Sequence, residues 1–235
     1  MPNGTPFCTG FRETFTDTIV VNSQSVSSPV QTVAQGGVWL QEDYDDAFIK
    51  SFNVSGCHSA AIKTDGTLWL WGENSNGRLG DNTIVDKSSP VQTIAQGNNW
   101  KQTYLGYQHS SAIKTDGTLW LWGRNSSGRL GDNTQTDRSS PVQTISQGNN
   151  WKQVSLGNDH SAAVKTDGTL WLWGDKANGI LGDDQTTVHQ SSPVQTVSQG
   201  NNWKQVSLGY QHSAAVKTDG TLWLWGLSDD LVHRV

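Results

Sequence analysis

The sequence predicts an all-β fold, a β-propeller of four-stranded antiparallel blades, and three observations lead there. His58, His109, His160 and His212 step by 51, 51 and 52 residues, and the Trp-Leu-Trp-Gly blocks step with them. A fixed period of that size marks a propeller or another array. Each unit holds four apolar runs of strand length between turn signals, none with helical spacing. In Leu68-Trp69-Leu70-Trp71 the leucines point to one face and the tryptophans to the other, so the sheet must be covered on both sides. Radially stacked blades meet that need.

Within a unit, strand A opens at a lone tryptophan (Trp39, Trp100, Trp151, Trp203) and strand B at the histidine. Strand C is the Trp-Leu-Trp-Gly run and strand D a Pro-Val-Gln-Thr run. This layout places all 12 tryptophans, three to a unit. Alanine pairs such as Ala162/Ala163 and Ala214/Ala215 suit a crowded inner strand. Thr-Asp-Gly joins B to C in every unit, and Asp-Gly supplies the positive φ angles of a tight hairpin. The last unit has A, B and C but stops after Gly226, while a D-type segment at residues 29–33 precedes the first A. Pairing of these N- and C-terminal segments is expected to close a ring of four blades, which would leave no open edge. The expected organisation is an N-terminal extension at 1–26, propeller repeats at 27–226 and a tail at 227–235.

Composition narrows the function. The 34% apolar content, with 25 glycines added, reaches the roughly 45% of a globular chain. A net charge of −5 has the wrong sign for a protein that neutralises phosphates, so direct nucleic-acid binding is not expected. No run is long and apolar enough for a membrane span, and the start lacks the layout of a secretion signal. Cys8 and Cys57 have no metal or redox spacing, and a bridge between them stays open. Residues 1–57 carry six acidic and two basic groups, and Trp39 lies 19 residues before His58 where later units use nine. About ten residues, near 41–51, are therefore inserted in the first strand A or its exit loop.

Gly-x-x-His-Ser-x-Ala, Thr-Asp-Gly-Thr-Leu-Trp-Leu-Trp-Gly and Asn-x-x-Gly-x-Leu-Gly-Asp (74–81 and 125–132) closely resemble the repeat of the regulator of chromosome condensation family, over residues 27–226. The resemblance implies a propeller, seven-bladed in that family, closed by pairing the chain ends in one blade. It also implies a protein-binding role, since members act as an exchange factor, an inhibitor and a photoreceptor through their loops. The near-identical repeats look like those of bacterial and phage reading frames.

Catalysis has no candidate constellation. Asp159-His160-Ser161 are strand neighbours that point to opposite faces. The glycines at 72 and 77 are followed by Arg78-Leu79, which cannot serve a phosphate loop. The resemblance implies that the histidines are structural and bond to neighbouring backbone rather than to a metal, and the 42–46 acidic run lacks calcium-loop spacing. No cofactor is implied.

Between units, the B–C and D–A turns hardly change, whereas the A–B and C–D loops at the other end vary. Variable loops on one face of a repeat scaffold are where binding usually resides. Asp43, Tyr44, Asp45, Asp46, Tyr107, Asp159 and Tyr210 are the candidate binding residues, facing a protein partner or copies of the chain itself. The first functional expectation is a structural component of a phage particle or other assembly; the alternative is a regulatory or inhibitory binder of one soluble partner.

Overall fold

The computed structural model describes residues 49–227 apart from Gly56, Gln96, Gln147, residues 185–188 and Gln199. These form four antiparallel sheets, each a meander in chain order. The first contains β1 (Ile49–Ser55), β2 (His58–Lys63), β3 (Leu68–Gly72) and β4 (Lys87–Gln92). The second contains β5 (Trp100–Leu105), β6 (His109–Lys114), β7 (Leu119–Gly123) and β8 (Arg138–Gln143). The third has β9 (Trp151–Leu156), β10 (His160–Lys165), β11 (Leu170–Gly174) and β12 (Gln190–Gln195). The fourth, three-stranded among the described residues, has β13 (Trp203–Leu208), β14 (His212–Lys217) and β15 (Leu222–Gly226).

The A strands β1, β5, β9 and β13 pack on one another in series, so A is innermost and the alanine-rich B strand lies second. Successive sheets meet leucine face to tryptophan face, as the alternation requires. At the first joint Ile62, Leu68, Leu70 and Leu79 pack on Trp100, Leu105, Ala112 and Trp122. Leu119, Leu121 and Leu130 meet Trp151, Val154 and Trp173 at the second, and Leu170, Leu172 and Leu181 meet Trp203 and Val206 at the third. Burial of each large side chain contributes about 1.5–3 kcal/mol. Trp100 and Trp122 add an edge-to-face contact at 6.4 Å, which Trp151/Trp173 and Trp203/Trp225 repeat at 6.3 and 6.5 Å.

A polar chain runs through each joint. Ser110 Oγ donates to the Arg78 carbonyl (2.7 Å) and accepts from His58 Nε2 across the joint (2.8 Å). The hydroxyl has one proton, and its use on the carbonyl places a proton on the histidine Nε2. His109 to Ser161 (3.0 Å) and His160 to Ser213 (3.1 Å) repeat the contact, with the serines donating to the Arg129 and Ile180 carbonyls. The same carbonyls accept from Trp122, Trp173 and Trp225 Nε1 at 2.8, 2.8 and 2.9 Å. The expected backbone partner of the histidine is thus replaced by a serine of the next blade, which passes the bond on to backbone.

Two further expectations change. Only the glycine of Thr-Asp-Gly has positive φ (Gly66, +82°), and Lys63 N bonds Thr67 O at 2.9 Å, so the hairpin loop has three residues. Asp65 instead accepts from Thr67 N (2.9 Å) and Thr67 Oγ1 (2.6 Å), and these bonds hold its carboxylate below the usual pKa range. In the first sheet Ile49 stands opposite Lys63, as Trp100 stands opposite Lys114. Ile49 therefore takes the place that Trp100 holds in the second sheet, and the exit from β1 to His58 is short; residues 41–48 of the expected insertion lie outside the described residues. Cys57 is disulfide-bonded. Residues 29–33, expected to complete the last sheet and close the ring, lie outside the described residues.

Candidate recognition surface

The variable end is built by the A–B loops at 106–108, 157–159 and 209–211 and the C–D loops that reach over them. In the first C–D loop Asn74 Oδ1 accepts from Leu79 N (2.9 Å), while its Nδ2 donates to Asp81 Oδ1 (3.0 Å) and Thr83 O (3.1 Å). Asn125 repeats this network in the next unit. In the third unit Lys176 replaces the asparagine, and its Nζ lies 2.6 Å from Asp183 Oδ2. One amide, or one ammonium, thereby ties each loop to itself.

That folding carries an arginine into the joint. Arg78 and Arg129 have side chains 2% and 1% exposed. Arg78 pairs with Glu73 at 3.1 Å and reaches the Tyr107 carbonyl, at 3.4 Å. Arg129 donates to the Asn158 carbonyl at 2.8 Å and forms an ion pair with Asp159. Burial pulls both guanidinium pKa values down, while Glu73 and Asp159 oppose the fall. The corresponding residue in the third unit is Ile180, so the loop bearing Tyr210 has no such anchor.

Tyr107 and Tyr210 stand 44% and 64% exposed, and together with Ser55, Gly157, Asn158 and Gly209 they line a shallow depression of about 200 Å³. The structure thus gathers two of the expected tyrosines at one mouth. Asp159, on the intervening loop at 157–159, is paired with Arg129, so its charge is already matched. Asp43, Tyr44, Asp45 and Asp46 lie outside the described residues. The sequence reading missed Arg78 and Arg129; their repetition in the Asn-x-x-Gly-Arg-Leu-Gly-Asp loop of two units was the available signal. We expect Arg129→Met to destabilise the protein by about 2 kcal/mol, since Asn158 and Asp159 lose their donor, although Asp159 retains partial solvation. Urea unfolding would measure it, and a change under 0.5 kcal/mol, roughly that of a neutral surface site, would refute the anchor.

The opposite end is fixed by Lys114 Nζ over Trp100 (4.8 Å) and Trp120 (4.6 Å), and by Lys165 and Lys217 over the matching tryptophan pairs. Among the described residues no cluster of three or more His, Cys, Asp or Glu could hold a metal. No helix among them is long and apolar enough to cross a membrane.

Stacked four-stranded sheets with one loop-bearing end define a propeller-type repeat protein. The regulator of chromosome condensation (RCC1) repeat matches at residues 65–113, 116–164 and 167–216, and the chain belongs to that family. It is 32% identical over 172 residues to the Arabidopsis thaliana ultraviolet-B receptor UVR8, covering 72% of this chain and 39% of that protein. It is 31% identical over 199 residues to the mitochondrial RCC1 domain-containing protein RUG3 of Arabidopsis thaliana, covering 80% of this chain and 44% of the relative. The chain thus spans well under half the length of either. It superposes on yeast RCC1 (Prp20), solved bound to Kap60, with a TM-score of 0.68 and 18% identity, over 87% of this chain and 50% of that one. Both sequence relatives are from a plant, so the phage or bacterial flavour of the repeats finds no support in them.

Proposed function

We propose that this chain is a non-enzymatic protein-binding module that engages its partner through the A–B and C–D loop end. The observation that carries this reading is the pair of exposed tyrosines, Tyr107 and Tyr210, at the mouth of the depression over the innermost strands. A phenol ring offers apolar area with a polar tip at low entropic cost, which suits recognition. Yeast RCC1, which shares this fold, was solved with a protein bound to it. The run at 42–46 adds negative charge in sequence, and we assign it the role of drawing in a basic partner.

The test starts from a photo-crosslinking residue at position 107, which identifies the partner covalently. Tyr107→Ala and Tyr210→Ala are then expected to weaken binding at least tenfold, mainly through faster dissociation, as for central anchors worth about 2 kcal/mol. Asp45→Asn with Asp46→Asn is expected to slow association and flatten its salt dependence. Unchanged affinity in both tyrosine variants, or contacts mapped to the Thr-Asp-Gly end, would overturn the assignment.

A second reading, a building block of a larger assembly, is favoured by one observation: Leu222 and Leu224 on the last sheet are 60% and 50% exposed, where Leu68 and Leu70 are fully buried.

A further inference from the structure

One residue of the innermost strand keeps its place in all four sheets. The strands open with Ile49-Lys50, Trp100-Lys101, Trp151-Lys152 and Trp203-Lys204, and over their first six positions the lysine is the one identity that all four share. β1 has diverged from the other three at every other one of those positions, yet it retains the lysine. The ladder also breaks at this residue each time. Trp100 stands opposite Lys114 and Gln102 opposite Ile113, so Lys101 between them has no cross-strand partner, and the other three sheets repeat the break. A bulge of this kind re-aims a side chain.

Lys50, Lys101, Lys152 and Lys204 are exposed, and none of them forms an ion pair among the described residues. The lysines that end strand B, Lys63, Lys114, Lys165 and Lys217, lie over tryptophan rings at the same end of the sheets. Asp65, Asp116, Asp167 and Asp219 are the carboxylates of that end, and each accepts from its own threonine. Charge is thus divided between the two ends: eight lysines face four aspartates here, whereas Asp and Glu outnumber Lys and Arg in the A–B and C–D loops. A bulge and a lysine also blunt a sheet edge against unwanted pairing. These inner edges already pack on one another in series, and blunting does not require one residue type at one position.

We propose that the four bulge lysines form a second recognition surface, separate from the tyrosine depression, which takes an extended acidic segment of a partner protein. The cations stand one to a sheet, and with sheets packed about 10 Å apart the row is about 30 Å long, the span of roughly nine extended residues. Lysine is a compact charge on a flexible stem, and the row contains no arginine, whose rigid fork suits phosphate and nucleic-acid recognition. Base stacking needs open aromatic faces, and Trp100 and Trp120 are covered by Lys114. Exposed Asn98, Asn149 and Asn201, each three residues before a bulge lysine, offer amides to a peptide backbone. A nucleic acid would carry its charge on past the acidic loop end, which a short segment does not reach.

The experiment follows the fluorescence anisotropy of a labelled ten-residue glutamate peptide with the full chain at low ionic strength. Wild type is expected to bind it and to lose affinity as added salt screens the charges. Lys101→Gln with Lys152→Gln and Lys204→Gln is expected to weaken binding about tenfold, roughly twofold to threefold for each exposed pair lost. Arg at the same three positions is expected to preserve it. Equal weakening by the Arg set would show that charge is not what is read, and overturns the proposal. No binding by wild type, or tighter binding of a ten-nucleotide single strand, overturns it as well. Binding that appears only after Asp45→Asn with Asp46→Asn would assign the lysines to the chain's own 42–46 run instead of a partner.

Discussion

The protein is expected to lose stability steeply between about pH 6.5 and pH 4, before its carboxylates are protonated. Burial pushes the His58 pKa down to about 3 and that of His160 to about 4, and it holds His109 well below its ordinary value, with nearby arginines acting the same way. Unfolding restores values near 6.5. In that window the unfolded chain binds protons that the folded chain refuses, so the stabilisation is complete above about 6.5 and falls with the pH. Each histidine contributes up to about 1.4 kcal/mol per pH unit, so three together lower stability by at most on the order of 8 kcal/mol near pH 4.5. Calorimetric scans across the window would check it; a Tm that stays level from about 6.5 to 4.5 would mean the imidazoles are not held neutral. His109→Ala is expected to cost about 1–3 kcal/mol at neutral pH for the lost joint contact, and to reduce the acid slope by about a third. Asp65, Asp116, Asp167 and Asp219, whose carboxylates the neighbouring threonine hydroxyls hold below their usual range, act only at lower pH.

A comparably large effect is expected from Gly117→Ala. The residue has φ +81°, and the added carbon would lie 2.0 Å from the Asn149 carbonyl oxygen, which is backbone and cannot swing away. The left-handed conformation costs about 1–2 kcal/mol, and relieving the overlap means parting the second sheet from the third, for a total of more than about 3 kcal/mol. Gly220→Ala is the control: φ is +87° and the space is open, so only the conformational part applies. Urea unfolding of the two variants separates the contributions. Equal losses would show that the hairpin glycines serve turn geometry alone.

Much of this architecture could be read from residue order. The 51-residue step, the Leu/Trp alternation and the hairpin glycine each express a local rule, and the sheets obey them. Other features depend on what stands across a joint. Arg78 and Arg129 drew no role in sequence, since nothing nearby reveals that the next blade's loop will close over them. Asp159 read as a recognition carboxylate for the same reason. The serine partner was present in every His-Ser pair, but each histidine bonds the serine of the following unit, 52 or 53 residues on. In the first sheet Trp39 looked like the landmark of strand A in sequence, whereas the place opposite Lys63 is taken by Ile49. Of the proposed recognition surface, only the exposure of Tyr107 and Tyr210 was legible, because aromatic residues in variable loops have no core to enter.

The His-Ser-carbonyl chain makes each unit answerable only to its immediate neighbours. A molecule coupled in this way behaves as a one-dimensional series, in which total stability grows by one interface for each unit added. Nothing in a joint records how many units precede or follow it. Unequal crossing-over within the reading frame, gaining or losing a 51-residue segment, would yield a chain whose remaining joints are chemically unchanged. Copy number is then a heritable variable that selection can adjust without redesigning a core, while the loops of each duplicate are free to diverge.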